Sequence, residues 1–258
     1  MSTHPPVVGH RGMSSLAPEN TMASFAACID HGVTSFEFDV DIMGDGTLIV
    51  IHDNTLDRTT TGSGSYYDKS FSDLRALDAG QWFSSTYRFE RVPELASVIE
   101  LMNRANLDSN LEIKPCEGGT ELRQSLVEGV AVSLRELDAE RAIIVSSFDM
   151  ELLAGMKEVA PHIPRACLFA WDDSPLDEQV DAWIEQATTL SATAIHPQNK
   201  ELTRTHVERM TESGFKVNVW TVNDLNRAAE LGQWGVNSVI SDIAQDFPAE
   251  SRAARPFA

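Results

Sequence analysis

The sequence predicts an eight-stranded (β/α)8 barrel of the TIM type. Eight short strand-like runs recur along the 258 residues, helical patterns lie between most of them, and the GxGxxG motif expected of the rival doubly wound sheet is absent. With 42% hydrophobic residues the chain can bury a substantial core. No Gly/Ser-rich or Pro-rich tract is long enough to separate two bodies, so a single domain over residues 1–258 is expected.

The first run is Val7 to Gly9. A helix follows, with Asn20 or Thr21 able to cap it, Met22, Phe25, Ala26 and Ile29 on one face, and His31-Gly32 at its end. Ser35 to Val40 reads as the second strand. Further strands are expected at Asn110 to Lys114, Ala142 to Ser146, Arg165 to Phe169, Ala192 to His196, Lys216 to Trp220 and Ser238 to Ser241. Helical patterns cover Pro93 to Arg104, Glu121 to Leu137, Leu176 to Ala187, Thr203 to Glu212 and Leu225 to Leu231. The run Leu48 to His52 breaks the alternation. Only the short Met43-Gly44-Asp45-Gly46 turn separates it from the second strand, too little for a parallel crossover, so it must double back. The stretch 54–91, with its turn residues and Trp82, is expected to form an inserted lobe beside the barrel mouth.

Composition excludes some partners. A formal charge of -19, from 39 acidic against 20 basic residues, repels polyanions, so nucleic acid is not expected to bind. The MSTHPPVV start shows no basic region followed by an apolar stretch, and no run of apolar residues is long enough to span a bilayer. The expectation is a soluble cytoplasmic chain without stable membrane association. Cys28, Cys116 and Cys167 lack the close spacing of metal or redox pairs and are expected reduced and buried.

Strand periodicity places chemistry at the mouth. In the second strand Phe36, Phe38 and Val40 alternate with Ser35, Glu37 and Asp39, so if helices cover the apolar face, the acids point inward. The third barrel strand repeats this, with Leu111 and Ile113 opposed to Asn110, Glu112 and Lys114. Folding the hairpin about Asp45 sets His52 opposite Phe38, between the levels of Glu37 and Asp39. His10 leaves the first strand at its C-terminal end, where barrel active sites assemble. Three carboxylates in one mouth repel each other and lose hydration, and a divalent cation relieves both penalties. All-oxygen donors favour Mg²⁺ or Ca²⁺ over zinc. With the ion, Arg11 and Lys114 would leave this pocket locally positive and suited to a small anion. Asn223 reads as a helix cap, Glu19 and Asn20 as caps of the first helix or else braces of the His10 loop, TTTGSGS near Thr61 as a flexible turn, and His196 as an unassigned core or surface histidine.

The segments GHRG, APENT, EFDV, DGTLIVIHDNTLDRTTTGSG, LEIK and VWTVN occur in this order, and together they resemble the glycerophosphodiester phosphodiesterase family. The resemblance spans nearly the whole chain and is densest before Pro115. It implies a TIM-type barrel with an insertion after His52. Glu37, Asp39 and Glu112 would bind the divalent metal, His10 and His52 would be the acid/base pair, Arg11 and Lys114 would hold phosphate oxygens, and Trp220 would line the cleft. The implied reaction of phospholipid turnover cleaves a small soluble glycerophosphodiester to glycerol 3-phosphate and an alcohol, by water or by the glycerol's own hydroxyl through a cyclic phosphate. Rival readings are a barrel phospholipase of the sphingomyelinase D type acting on intact lipid headgroups, and a noncatalytic barrel that only binds metal or glycerophosphoryl ligands.

Overall fold

The computed structural model describes residues 4–258. Its strands β1 (Val7–Gly9), β2 (Ser35–Ile42), β4 (Asp108–Ile113), β5 (Ile143–Ser147), β6 (Arg165–Phe169), β7 (Ala194–Pro197), β8 (Lys216–Val219) and β9 (Ser238–Ser241) are parallel neighbours, and β1 pairs with both β9 and β2 to close the ring. This is a (β/α)8 barrel. Strand β3 (Leu48–Val50) lies antiparallel on β2 with Val40 opposite Val50, Asp41 opposite Ile49 and Ile42 opposite Leu48. Continued downward, that register sets His52 against Phe38, as the hairpin arithmetic expects, and the Ile51 N–H donates to the Asp39 carbonyl at 3.0 Å.

Strand β2 is oriented by its aromatic face. Phe36 and Phe38 pack on Phe25 of helix α1 (Met22–Asp30), with ring centroids 4.7 and 5.9 Å away, and all three are fully buried. A strand with one face held against a helix presents its alternate residues to the barrel axis, so Glu37 and Asp39 have nowhere else to point. Helix α1 itself differs from the expected pattern: Ala26 and Ile29 are exposed, and the buried stripe is Ser24, Phe25 and Cys28. The loop after β1 is responsible. It lies across Ser24, whose hydroxyl donates to the Arg11 carbonyl and whose carbonyl accepts from the Met13 N–H. Gly12, at φ +81°, sits so close that a Cβ would meet Ser24 Oγ at 2.5 Å.

Helices α3 (Leu95–Ala105), α4 (Thr120–Ser133), α6 (Leu176–Thr189), α7 (Arg204–Glu212) and α8 (Leu225–Gln233) fall where the sequence patterns lie. Helix α5 (Met150–Val159) has no counterpart among those patterns. It begins just after β5 and carries Gly155 mid-helix, where the backbone approaches Val127 of α4, and Asp149 caps it by accepting from the Glu151 and Leu152 N–H groups. A short helix α9 (Ala249–Arg252) follows β9.

The far end of the barrel is stoppered: Phe257 packs on Ile144, Ala166 and Ala194, and Arg255 makes two hydrogen bonds to buried Asp108 at 2.6 and 2.7 Å. The segment 54–91, with the short helix α2 (Phe71–Leu74), gathers a second apolar cluster around Ile49, Ile51, Leu56, Tyr66 and Leu74. It is tied to the barrel by the Tyr66 and Tyr67 hydroxyls, which donate to Asp41 at 2.7 and 2.6 Å. All three cysteines are free and buried, and no helix among the described residues is long and apolar enough to cross a membrane.

Because Phe38 wedges α1 against the strand that aims the acids, Phe38→Ala should cost about 3–5 kcal/mol. Ile29→Ala, on the exposed face, should cost less than about 0.5 kcal/mol. Urea denaturation of the two variants measures the difference.

Candidate active site

The sequence-predicted residues meet at the C-terminal rim. Glu37 and Asp39 come from β2 and Glu112 from its neighbour β4, where Asp39 and Glu112 are in register. One oxygen from each of the three lies within 4.8 Å of the others, and all three are buried. Two cations attend them. Lys114, just past β4, places Nζ 2.6 Å from Glu112 and 3.3 Å from Asp39, while Arg11 places Nε 3.5 Å from Asp39.

The carboxylates do not share this compensation equally. Burial, then the charges of Asp39 and Glu112, push the Glu37 carboxyl up to about 8. Burial also raises Glu112, more than Lys114 can offset. Asp39 goes the other way: against the burial penalty, Lys114 and Arg11 hold it well below the usual carboxylate range. The ionised forms of Glu37 and Glu112 are therefore left short of compensation. A cluster of oxygen donors on which local side chains cannot stabilise every negative charge fits a hard divalent cation.

Both candidate histidines line the hollow, each with Nδ1 held by a carboxylate. His10 Nδ1 is 2.6 Å from Asp242, and His52 Nδ1 is 2.6 Å from Asp53. His10 Nε2 lies 4.0 Å from Glu37. The imidazoles line one cavity with Arg11, Glu112 and Trp220. Trp220 is anchored by its indole N–H, which donates to the His196 carbonyl at 2.8 Å, and it meets Phe148 edge to face at 5.4 Å. His52 also borders another hollow, lined by Asp41, Asp53, Asn54, Lys114 and Glu117.

Three residues read as helix caps do something else. Asn20, at φ +56°, donates to Asp39 at 2.8 Å and accepts from its backbone N–H at 3.3 Å, while Thr21 caps α1. Glu19 bridges Arg11 and Arg58, each at 2.7 Å, and Arg58 continues to Asp53 at 2.6 Å. A continuous chain of ion pairs thus runs from Arg11 through Glu19 and Arg58 to Asp53, which closes on His52 by a hydrogen bond. Asn223 does not cap α8, a task Asp224 performs; it donates to Asp242 at 2.6 Å and accepts from the Asp242 N–H. Sequence reasoning missed Asp242, Asp53 and Arg58 as supporting groups. An Asp directly after the HDNT histidine was the one local signal available, since Asp242 meets His10 only through closure of the ring. His196 is a core residue: its ring is fully buried and accepts no charge easily, with Nε2 2.7 Å from the Asn218 amide.

A closed parallel barrel with acid donors and two carboxylate-held imidazoles at its C-terminal rim defines a TIM-barrel hydrolase. The pattern of the glycerophosphoryl diester phosphodiesterase family matches residues 10–245, and the chain belongs to that family. It is 33% identical over 236 residues, covering 92% of this chain and 93% of the other, to the glycerophosphodiester phosphodiesterase of Caldanaerobacter subterraneus subsp. tengcongensis. Its fold matches an Oleispira antarctica phosphodiesterase solved in complex with the product sn-glycerol-3-phosphate, with TM-score 0.87 and 32% identity over 96% of each chain. A glycerophosphodiester phosphodiesterase from Agrobacterium tumefaciens matches with TM-score 0.76 and 27% identity, covering 97% of this chain and 100% of that one.

The two imidazoles should titrate apart in metal-free protein. Against the burial penalty, Asp242 and Glu37 raise His10 above its ordinary value of 6.5. Burial, helped by Lys114 and Arg11, lowers His52 below 6.5 against the opposing effects of Asp39 and Asp53. NMR titration of the ring protons should therefore find His10 protonated to higher pH than His52, and Asp242→Asn should bring the His10 midpoint down. Equal midpoints would contradict this electrostatic picture.

Proposed function

We propose that the protein is a metal-dependent phosphodiesterase that hydrolyses small soluble glycerophosphodiesters, the deacylated products of phospholipid turnover, to sn-glycerol 3-phosphate and an alcohol. The observation that carries this reading is the joint presence, around one hollow, of an acid triad and two imidazoles each fixed at Nδ1 by a carboxylate. Family membership and the product-bound Oleispira relative support it. Binding a metal or a glycerophosphoryl ligand needs no fixed pair of imidazoles, which disfavours a noncatalytic barrel.

Glu37, Asp39 and Glu112 would hold the ion, Mg²⁺ or Ca²⁺ by the hardness of their oxygens. When bound, it supplies positive charge to the non-bridging phosphoryl oxygens as charge develops there. Arg11 and Lys114, both at the rim, complement those oxygens and orient the group for in-line attack. The attacking oxygen, from water or from the neighbouring glycerol hydroxyl, gives its proton to one imidazole Nε2. The other imidazole protonates the leaving alcohol oxygen as its bond to phosphorus breaks; if the glycerol hydroxyl attacks, this step leaves a cyclic phosphate, which water then opens to sn-glycerol 3-phosphate, its proton passing to one imidazole while the other protonates the departing secondary oxygen. Asp242 and Asp53 keep each ring in the orientation that aims Nε2 inward, the same service an Asp gives a catalytic histidine in triad enzymes. The edge-to-face pair of Trp220 and Phe148 provides an apolar wall for the carbon skeleton.

Incubation with glycerophosphocholine should release sn-glycerol 3-phosphate and choline, with activity lost on chelation and restored by Mg²⁺ or Ca²⁺. His10→Ala and His52→Ala should each lower kcat by about 10²–10⁴-fold. Release of phosphocholine instead, or full activity in either variant, would refute the assignment, and cleavage of sphingomyelin vesicles in place of the soluble diester would favour the phospholipase alternative.

A further inference from the structure

The floor of the same hollow carries a side chain that the reaction as derived leaves unused. Asn110 lies two residues before Glu112 on β4 and is in register with Glu37 of β2, so it shares the inward face at the level of Glu37, one pleat deeper than Glu112. It is 1% exposed and lines the cavity with Leu168 and Ile240 beneath the rim. Neither its amide nitrogen nor its amide oxygen has a hydrogen-bond partner. Ser146, in register with Glu112 on β5, adds a second buried and unpartnered hydroxyl on this inward face. An apolar side chain of the same size would fill the position without that penalty. Several neighbours are paired, Asp39 with Asn20, Glu112 with Lys114, and both imidazoles with carboxylates, whereas the Arg11 Nε in the same cavity lacks a hydrogen-bond partner as Asn110 does.

A primary amide with both ends free, in a cavity that Leu168 and Ile240 also line, complements an alcohol: it donates to the hydroxyl oxygen and accepts its hydrogen, while the carbons of the ligand meet apolar lining. The reach agrees. Two residues of strand span about 6.7 Å. The terminal hydroxyl of a glycerol phosphate lies about 6 Å from phosphorus along an extended chain of single bonds. A phosphoryl group at the level of Glu112 therefore brings that hydroxyl to the level of Asn110.

Resting on the phosphodiesterase reading, we infer that Asn110 is a specificity-determining residue that binds the terminal hydroxyl of the glycerol moiety. The glycerol end enters the barrel first, and the headgroup stays at the rim. The secondary hydroxyl beside the phosphoryl group is not the one Asn110 reads, which separates this role from that of the nucleophile.

Two probes that differ only in the terminal hydroxyl test this: sn-glycerol 3-phosphate and its deoxy analogue that keeps the secondary hydroxyl, each also as its choline diester. Wild-type protein should favour the full glycerol by about 10–100-fold, in Kd for the monoesters by calorimetry and in kcat/KM for the diesters. Asn110→Leu, or Asn110→Ser should the larger change impair folding, should reduce that preference to within about threefold. Equal wild-type Kd values for the two monoesters, or a preference that survives substitution, would overturn the subsite. Failure of the wild type to cleave either diester would overturn the proposed reaction instead, while the Kd comparison still decides the role of Asn110.

Discussion

The organisation of this molecule depends on placing three buried carboxylates from two adjacent strands within a few ångströms of each other. Bringing Glu37, Asp39 and Glu112 to one point of a closed barrel strips them of water while their charges repel. Nearby cations cannot neutralise all of them, as the upward displacement of Glu37 and Glu112 shows. Such a cluster is costly to fold and persists only where the scaffold leaves no alternative. Here the scaffold is β2, pinned by Phe36 and Phe38 against Phe25, with the β4 register locked alongside it. The aromatic face outside the barrel thus sets the position of the acids inside it.

Around that cluster the rim is braced in two directions. On one side the ion-pair chain from Arg11 through Glu19, Arg58 and Asp53 reaches His52 and recruits the segment after β3. On the other, ring closure brings β9 beside β1, so that Asp242, itself oriented by Asn223 and Ser14, fixes His10. The acidic chain repels anions from a distance, yet the mouth gathers Arg11, Lys114 and two imidazoles. Long-range repulsion and local attraction can coexist because the outer field is screened within about 8–10 Å in physiological salt.

What was legible in the sequence follows from this geometry. Strand alternation is a short-range signal, so the inward face of Glu37, Asp39 and Glu112 could be read from neighbouring residues, as could the hairpin register that sets His52 opposite Phe38. The supporting groups could not. Asp242 reaches His10 across the closure of the barrel, and Asn20 reaches Asp39 from a loop bent by left-handed residues, which no periodicity encodes. The covered face of α1 is hidden for the same reason: hydrophobicity favours Ala26 and Ile29, but the loop over Ser24 decides which side is covered. Helix α5 is not legible in the sequence because Gly155 weakens its local pattern, although its contact with α4 makes a small residue suitable there.

The central claim is that one ion is held by oxygens from β2 and β4. Anomalous diffraction from crystals equilibrated with Mn²⁺ tests it most directly. A single strong peak between the side chains of Glu37, Asp39 and Glu112 is the predicted result. A map with no peak there, Lys114 still seated against Asp39 and Glu112, and manganese bound elsewhere would contradict the account.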